Sequence, residues 1–163
     1  MDIANDIERI AQQELRLRFR HFDLDGVWQL GSRLRVIAES SGVSLAIEIR
    51  LAAQTVFFLT MPGTTPANAD WARRKRNTVE LLHRSSYGVG RSLERDGQTL
   101  ADTMGLPARD YASHGGGFPL FVEHVGVVGA VTVSGVPQRE DHSIVVTALA
   151  ELCNVPLAEI ALD

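Results

Sequence analysis

The sequence of residues 111–142 is YASHGGGFPLFVEHVGVVGAVTVSGVPQREDH, and it predicts the central part of the fold. Three glycines lead into an apolar run at residues 118–124, and a short turn connects this run to a second one at residues 126–134. Two runs rich in Val, Phe and Thr that are separated by a tight turn are typical of a β-hairpin. Acidic residues follow the second run and favour the start of a helix, which we expect over residues 138–153.

A second hairpin is predicted earlier in the chain. Residues 43–51 alternate strictly between apolar and polar side chains, which is the pattern of a strand with one buried face, and residues 54–61 are rich in Val, Phe and Thr. Helical spacing or capping residues predict the remaining helices, at residues 2–17, 23–40, from Asn68 or Asp70 onward, and in pieces over 89–104. The sequence therefore predicts an α+β fold in which an antiparallel sheet of four strands is flanked by helices.

Composition limits the class of protein. With 163 residues and 45% hydrophobic content, the chain is long enough for one substantial core, so we expect a single domain over residues 1–163. A formal charge of −4 argues against a nucleic-acid partner, and no apolar run approaches the ~20 residues that a membrane span needs. The lone Cys153 excludes an intrachain disulfide, and the N-terminus does not resemble a secretory signal, so we expect a cytoplasmic protein.

The only lysine of the chain lies on the apolar side of a predicted helix. At about 100° per residue, Asn68, Trp71 and Lys75 fall on one stripe together with small and apolar side chains. A lysine in that position must extend past the helix edge, pair with an acid or meet a ligand, because an unpaired buried ammonium group is costly. Trp71 is expected to be a core or interface residue, or the wall of a pocket, and Trp28 a core or interface residue.

A histidine and three glycines precede the first strand of the later hairpin. Successive glycines allow backbone N–H groups to point toward one anion, so His114, Gly115, Gly116 and Gly117 form a candidate site for a carboxylate or phosphate. The same glycines could instead be needed for the unusual backbone path into the strand. The residues alone leave both interpretations open.

Further candidate residues lie after the second strand of that hairpin. Ser134 ends the strand, and Asp141 and His142 lie in the first turn of the next helix, where an acid is expected to act as an ordinary cap. A Ser-His-Asp triad is disfavoured, since adjacent residues on a helix point about 100° apart. No metal site is expected, because the five histidines and one cysteine lack paired ligand spacing.

Several motifs resemble one known family, the haem-degrading domain family that includes GlcG-like and HbpS-like proteins. The similar segments are Asn-Ala-Asp-Trp-Ala-Arg-Arg-Lys at 68–75, Gly-Gly-Gly-Phe-Pro-Leu at 115–120 and Gly-Val-Val-Gly-Ala-Val-Thr-Val-Ser-Gly at 126–135. The similarity is greatest to a small bacterial and fungal branch of the family. It implies a profilin-like α/β/α sandwich, assembly into homo-oligomers and the handling of haem.

These observations predict a protein that binds a small anionic molecule, with haem as the candidate that the family suggests. The predicted ligand-binding residues are Asn68, Trp71, Lys75, His114, Gly115, Gly116, Gly117, Ser134 and His142. One alternative is an assembly protein in which the same polar residues only hold helices against the sheet. Another is an enzyme that uses His114 or His142 as an acid or base.

Overall fold

A computed structural model describes residues 2–163 of the chain, and the predicted α+β fold is confirmed. The helices are α1 (Ile3–Arg16), α2 (Leu24–Ser40), α3 (Pro66–Leu82), α4 (Ser86–Asp96), α5 (Leu100–Met104) and α6 (Gln138–Leu152), and a 3₁₀ turn spans Leu157–Glu159. The strands are β1 (Arg18–Phe19), β2 (Ala46–Leu51), β3 (Gln54–Thr60), β4 (Gly117–Val122) and β5 (Gly126–Ser134).

The strands form one sheet in the order β1-β4-β5-β2-β3. Both predicted hairpins are present, and they are joined by antiparallel pairing of β2 with β5, in which Ala46 lies opposite Ser134. The fifth strand, β1, pairs in parallel with β4 and was not predicted. Two residues are too short to show a strand periodicity, so this pairing depends on contacts made by distant parts of the chain.

Helices cover both faces of the sheet. The main core lies between one face and helices α2 and α6, and it includes Ile47 and Ile49 of β2. Helix α3 packs on the opposite face, where Glu48 is buried and accepts a hydrogen bond of 2.8 Å from Arg76 Nη1. The prediction that β2 has only one buried face was therefore wrong. The polar face of β2 is covered as well, and its acidic residue Glu48 is paired with Arg76.

Helix α3 begins two residues before the earlier of its two predicted caps. Its first residue is Pro66, whose fixed φ suits the first helical position, and the N-cap is Thr65. The side chain of Asn68 accepts a hydrogen bond of 2.9 Å from the backbone N–H of Thr65, so Asn68 supports the cap from inside the helix. This start directs Asn68, Trp71 and Lys75 toward one end of the sheet.

The two ends of the chain lie together. Nε2 of Gln13 in α1 donates a hydrogen bond of 2.8 Å to the carbonyl oxygen of Ile160, and both residues are buried. Trp28, in contrast, is 68% exposed on α2, so of the two roles expected for it, core or interface, it does not have the first. Within residues 2–163, none of the helices combines the length and the hydropathy needed to cross a lipid bilayer.

Candidate functional site

A polar cavity of about 280 Å³ opens between α3, the end of β5 and the start of α6. Its lining residues are Asn68, Trp71, Lys75, His114, Ser134, Gly135, Val136, Gln138 and Asp141. Five predicted site residues therefore meet at one place, although they come from three separate parts of the sequence. The stripe on α3 contributes three of them, because residues at i, i+3 and i+7 share one helix face.

Lys75 is the most buried cation of the cavity. Its Nζ lies 2.7 Å from Oδ2 of Asp141 and 3.0 Å from the carbonyl oxygen of Val133. Only 3% of Lys75 and 1% of Asp141 is exposed, and Oδ1 of Asp141 also accepts a hydrogen bond from the backbone N–H of Val136 at 3.2 Å. Of the three arrangements open to this lysine, the structure shows pairing with an acid. The prediction for Asp141 was an ordinary helix cap, but this residue also pairs with Lys75.

Burial shifts both members of this pair toward their neutral forms. Loss of hydration lowers the pKa of Lys75, and the attraction of Asp141 offsets part of that shift. Loss of hydration likewise raises the pKa of Asp141, and the positive charge of Lys75 opposes the change. A proton shared between these two groups is therefore easier to move than one on an exposed lysine.

Aromatic and basic side chains form the rim of the cavity. The ring of Trp71 lies 4.9 Å from the ring of His114, in an edge-to-face arrangement, and the guanidinium carbon of Arg74 lies 4.1 Å from the centre of a Trp71 ring. Loss of hydration lowers the pKa of His114, and the positive charges of Lys75 and Arg74 lower it further. His114 is therefore a neutral imidazole at pH 7, able to donate one hydrogen bond and accept another.

The three glycines are buried beside the cavity and are not among its lining residues. The N–H of Gly115 donates to Oε1 of Gln138 at 3.4 Å, and the N–H of Gly117 donates to Oγ of Ser86 at 3.0 Å. A Cβ on Gly115 would lie 2.0 Å from a backbone oxygen, and one on Gly116 would lie 2.5 Å from another. The N–H groups of Gly115 and Gly117 are therefore used within the protein and do not form the predicted anion nest. The glycines instead permit close packing of the backbone.

His142 lies outside the cavity. It is 1% exposed, its Nε2 lies 2.7 Å from Oε1 of Gln13, and its ring lies 5.0 Å from that of Tyr87. Burial lowers the pKa of His142 to about 3, so the ring is neutral at pH 7. Its neighbour Asp141 faces the cavity, and the turn of about 100° per residue in α6 directs His142 toward α1 instead. The prediction that His142 is one of the site residues was wrong, because this residue does not line the cavity.

Sequence reasoning missed four of the lining residues, namely Gly135, Val136, Gln138 and Asp141. A signal for Asp141 was present, because a lone lysine on an apolar helix face needs an acidic partner. No such signal marked Gln138 or the backbone of residues 135–136.

A sequence profile described as haem degrading protein HbpS-like matches residues 22–150. The chain belongs to this HbpS-like family. The family resemblance seen in the sequence motifs is thereby confirmed. Helix α1 and the segment after residue 150 lie outside the matched region.

Two relatives are similar to this HbpS-like chain over nearly their whole length. A UPF0303 protein of Azotobacter vinelandii is 51% identical over 163 residues, which cover 100% of this chain and 98% of the relative. A UPF0303 protein of Paraburkholderia phymatum is 56% identical over 149 residues, which cover 91% of this chain and 90% of the relative.

Solved structures share the fold of this HbpS-like chain. The crystal structure of the Ybr137w protein superposes with a TM-score of 0.83 at 25% identity, covering 91% of this chain and 87% of that one. The crystal structure of HbpS gives a TM-score of 0.64 at 20% identity, with coverage of 81% and 89%. A PduOC:heme complex gives 0.69 at 19% identity, with coverage of 79% and 93%, and at this identity the similarity concerns the fold alone.

Proposed function

We propose that this HbpS-like protein binds a small organic anion, such as a carboxylate, in the cavity between α3, β5 and α6. The observation that carries the proposal is the buried ammonium group of Lys75 among the lining residues. Hydrogen bonds to Val133 and Asp141 use two of its three N–H donors, and the third is available to an acceptor in the cavity. Neutral His114 and the amide of Asn68 add donors at the rim.

Haem is the ligand that the family description and the haem-bound neighbour suggest. The volume of about 280 Å³ is slightly below the range of typical ligand pockets, which is about 300–1,000 Å³. Among the lining residues, only Trp71 and Val136 offer sizeable apolar side-chain surface. The cavity therefore fits a carboxylate-bearing edge, such as a propionate, and does not fit a whole porphyrin.

Fluorescence of Trp71 provides a direct binding test. The two tryptophans are Trp28, remote from the cavity, and Trp71, so a Trp28→Phe variant leaves a single reporter at the site. Titration with pyruvate should change its emission saturably, and a Lys75→Met substitution should weaken binding about tenfold or more, since a hydrogen bond to a charged group contributes about 1.5–3 kcal/mol. A parallel titration with haemin, followed by absorbance, compares the binding of haem, the candidate that the family suggests, with the binding of pyruvate.

A matched pair of histidine variants serves as the control. His114→Gln should weaken pyruvate binding, whereas His21→Gln, at an exposed position on another part of the surface, should leave it unchanged. If neither pyruvate nor haemin saturates, or if Lys75→Met binds as well as the parent, the proposal fails.

A structural role for the polar cluster is the second candidate. Its support is that Nζ of Lys75 ties α3 to β5 and to α6 through its two hydrogen bonds. In that case Lys75→Met would lose stability or assembly, and no ligand would shift the unfolding temperature of the parent protein. Ligand-dependent stabilisation that Lys75→Met abolishes while remaining folded would argue for a binding site instead.

The proposal also includes that the protein is cytoplasmic, folds as one domain over residues 1–163 and associates with further copies of itself. The contacts that join the two chain ends support one domain. The exposed aromatic residues Phe58 on β3 and Trp28 on α2 support association.

A further inference from the structure

The cavity holds the only side-chain amine of the protein next to a buried carboxylate. Nζ of Lys75 and Oδ2 of Asp141 are 2.7 Å apart, and both residues line the same opening. An arrangement used only for packing does not require that the pair border a cavity. The placement of an amine, an acid and an open volume together is what an amine nucleophile requires.

The short separation lets the pair exchange a proton without moving. Transfer from the ammonium group of Lys75 to Asp141 would leave a neutral amine and a carboxylic acid. Burial favours both products, because it lowers the pKa of Lys75 and raises the pKa of Asp141. The hydrogen-bond partner Val133, 3.0 Å away, holds the nitrogen in place during this exchange.

Other charged and titratable groups face the pair from the neighbouring elements. Arg74 lies on α3 beside Trp71, and His114 lies in the segment before β4. Arg74 is positively charged and the imidazole of His114 is uncharged at pH 7, so neither supplies a second negative charge that would hold Lys75 as an ammonium ion. Gly116 leaves room for the amine of Lys75, because a Cβ at that position would lie 2.8 Å from Nζ.

We propose that Lys75 forms a Schiff base with a small α-keto acid, with Asp141 as the proton carrier. This inference rests on the proposed binding of a small carboxylate in the same cavity. The amine of Lys75 attacks the carbonyl carbon, and the resulting alkoxide takes the proton that Asp141 received. Asp141, now ionised, takes a proton from the positively charged nitrogen of the carbinolamine and passes it to the hydroxyl group, which leaves as water. The nitrogen lone pair then forms the carbon–nitrogen double bond that replaces the carbon–oxygen one, and Asp141 is left as a carboxylate beside the protonated Schiff base. The substrate carboxylate remains bound by donors of the rim.

Hydride trapping tests the proposal with pyruvate as the probe. Incubation with pyruvate and cyanoborohydride should convert the Schiff base into a stable amine, which adds the mass of pyruvate less one oxygen atom to the chain. Because the chain contains a single lysine, peptide mapping needs to separate only two amines, that of Lys75 and that of the N-terminus. We expect Lys75 to be labelled at least about tenfold faster than the N-terminal amine.

Two comparisons make the result specific. Asp141→Asn should slow labelling of Lys75 about 100-fold or more, in the range expected for loss of a general acid–base group, and leave labelling of the N-terminal amine unchanged. Lactate has the same carboxylate but no carbonyl group, so an excess of lactate should protect Lys75 in the unaltered protein. This second measurement keeps the test decisive if Asp141→Asn does not fold.

The outcomes separate this inference from the proposed function. If pyruvate changes Trp71 fluorescence saturably but Lys75 is not labelled faster than the N-terminal amine, the Schiff-base proposal is overturned and the binding site stands. If pyruvate neither binds nor labels Lys75, both are overturned. Fast labelling that lactate does not reduce would also overturn the proposal, because it would place the reaction outside the carboxylate site.

Discussion

Two ionisable residues of the same helix, Asp141 and His142, differ in how the protein keeps them buried. Asp141 remains beside a cation, whereas His142 is neutral and faces Gln13 and Tyr87. A buried ion pair adds little net stability, since its attraction mainly offsets the loss of hydration. Removing one partner is different, because it leaves the other charge buried without compensation.

The Lys75–Asp141 pair therefore predicts strong coupling between its two members. Asp141→Leu alone should lower the free energy of unfolding by about 3–5 kcal/mol, because it leaves the ammonium group unpaired. The double variant Lys75→Met/Asp141→Leu should recover most of this loss. Urea denaturation measures both values, and Arg35→Gln, which breaks an exposed pair with Glu39, should cost at most about 1 kcal/mol. A double variant that is no more stable than Asp141→Leu would contradict this view of the pair.

His142 predicts a pH dependence of stability. Its pKa is about 3 in the folded protein and 6.5 when unfolded, so between these values the unfolded chain binds more protons. Stability must therefore fall as the pH drops below about 6.5, by up to about 1.4 kcal/mol per pH unit from this group. In His142→Gln that contribution should be absent from denaturation curves measured between pH 7 and pH 4. An identical slope in both proteins would show that another group is responsible.

How far single residues could be predicted depended on whether their constraint was local. Lys75 could be identified because one charged residue on an apolar helix face violates a local pattern. The directions of Asp141 and His142 could not, because they depend on how α6 is rotated against the sheet. The role of Gly115 was equally inaccessible, since the backbone oxygen that excludes its side chain belongs to Gln138, which comes later in the chain.

At the scale of elements, the glycine segment before β4 joins the cavity to the sheet. Gly116 has a φ of +123°, and its carbonyl oxygen accepts a hydrogen bond of 2.9 Å from the N–H of Val133. The segment passes so close to β5 and α6 that side chains would separate them. The glycines thus fix the distance between the elements that carry Lys75 and Asp141.

A comparison of two glycines isolates this packing effect. Gly116 and Gly126 both have positive φ angles, +123° and +109°, but only at Gly116 would a Cβ meet neighbouring atoms within 4 Å. Each change to alanine should cost about 1–3 kcal/mol for the backbone conformation, and Gly116→Ala should cost clearly more. Thermal and urea unfolding of the two variants measure the difference. Equal losses would mean that the close approach around Gly116 is relaxed without cost.

The elements themselves were largely predictable, and the exceptions have physical reasons. Both hairpins and the main helices follow from periodicity within short windows of sequence. Strand β1 could not be recognised, since its two residues are extended only because they pair with β4. The polar alternation of β2 suggested exposure, but Glu48 is buried because Arg76 on α3 neutralises it.

At the scale of the whole molecule, the two ends of the chain, which lie outside the matched family region, are attached to the rest of the fold. Asp6 of α1 is buried and lies 2.8 Å from Nη1 of Arg139 on α6 and 3.1 Å from Nε of Arg91 on α4. This buried acid and the Gln13–Ile160 hydrogen bond fasten the first helix and the last turn to the layers that carry the cavity. They support the proposal that the entire chain folds as one unit.

One side of the molecule nevertheless remains apolar and uncovered. Strand β3 is at the edge of the sheet and contains neither a charged residue nor proline, the usual protections of a free edge. Phe58 of this strand is 50% exposed, and Trp28 on the neighbouring α2 is 68% exposed. A second copy of the chain is the occupant that we propose for this face, since pairing of two β3 strands would extend the sheet and cover both aromatic residues.

This association predicts a change in mass on substitution at the face. Phe58→Lys should shift the protein toward monomer, because it places a charge where apolar contact is expected, while Val125→Lys, in the exposed turn between β4 and β5, should leave the mass unchanged. Light scattering coupled to gel filtration over a range of concentrations measures both. Circular dichroism checks that the variants remain folded. A parent protein that is monomeric throughout, or a Phe58→Lys variant with the mass of the parent, would show that this face is not where copies meet.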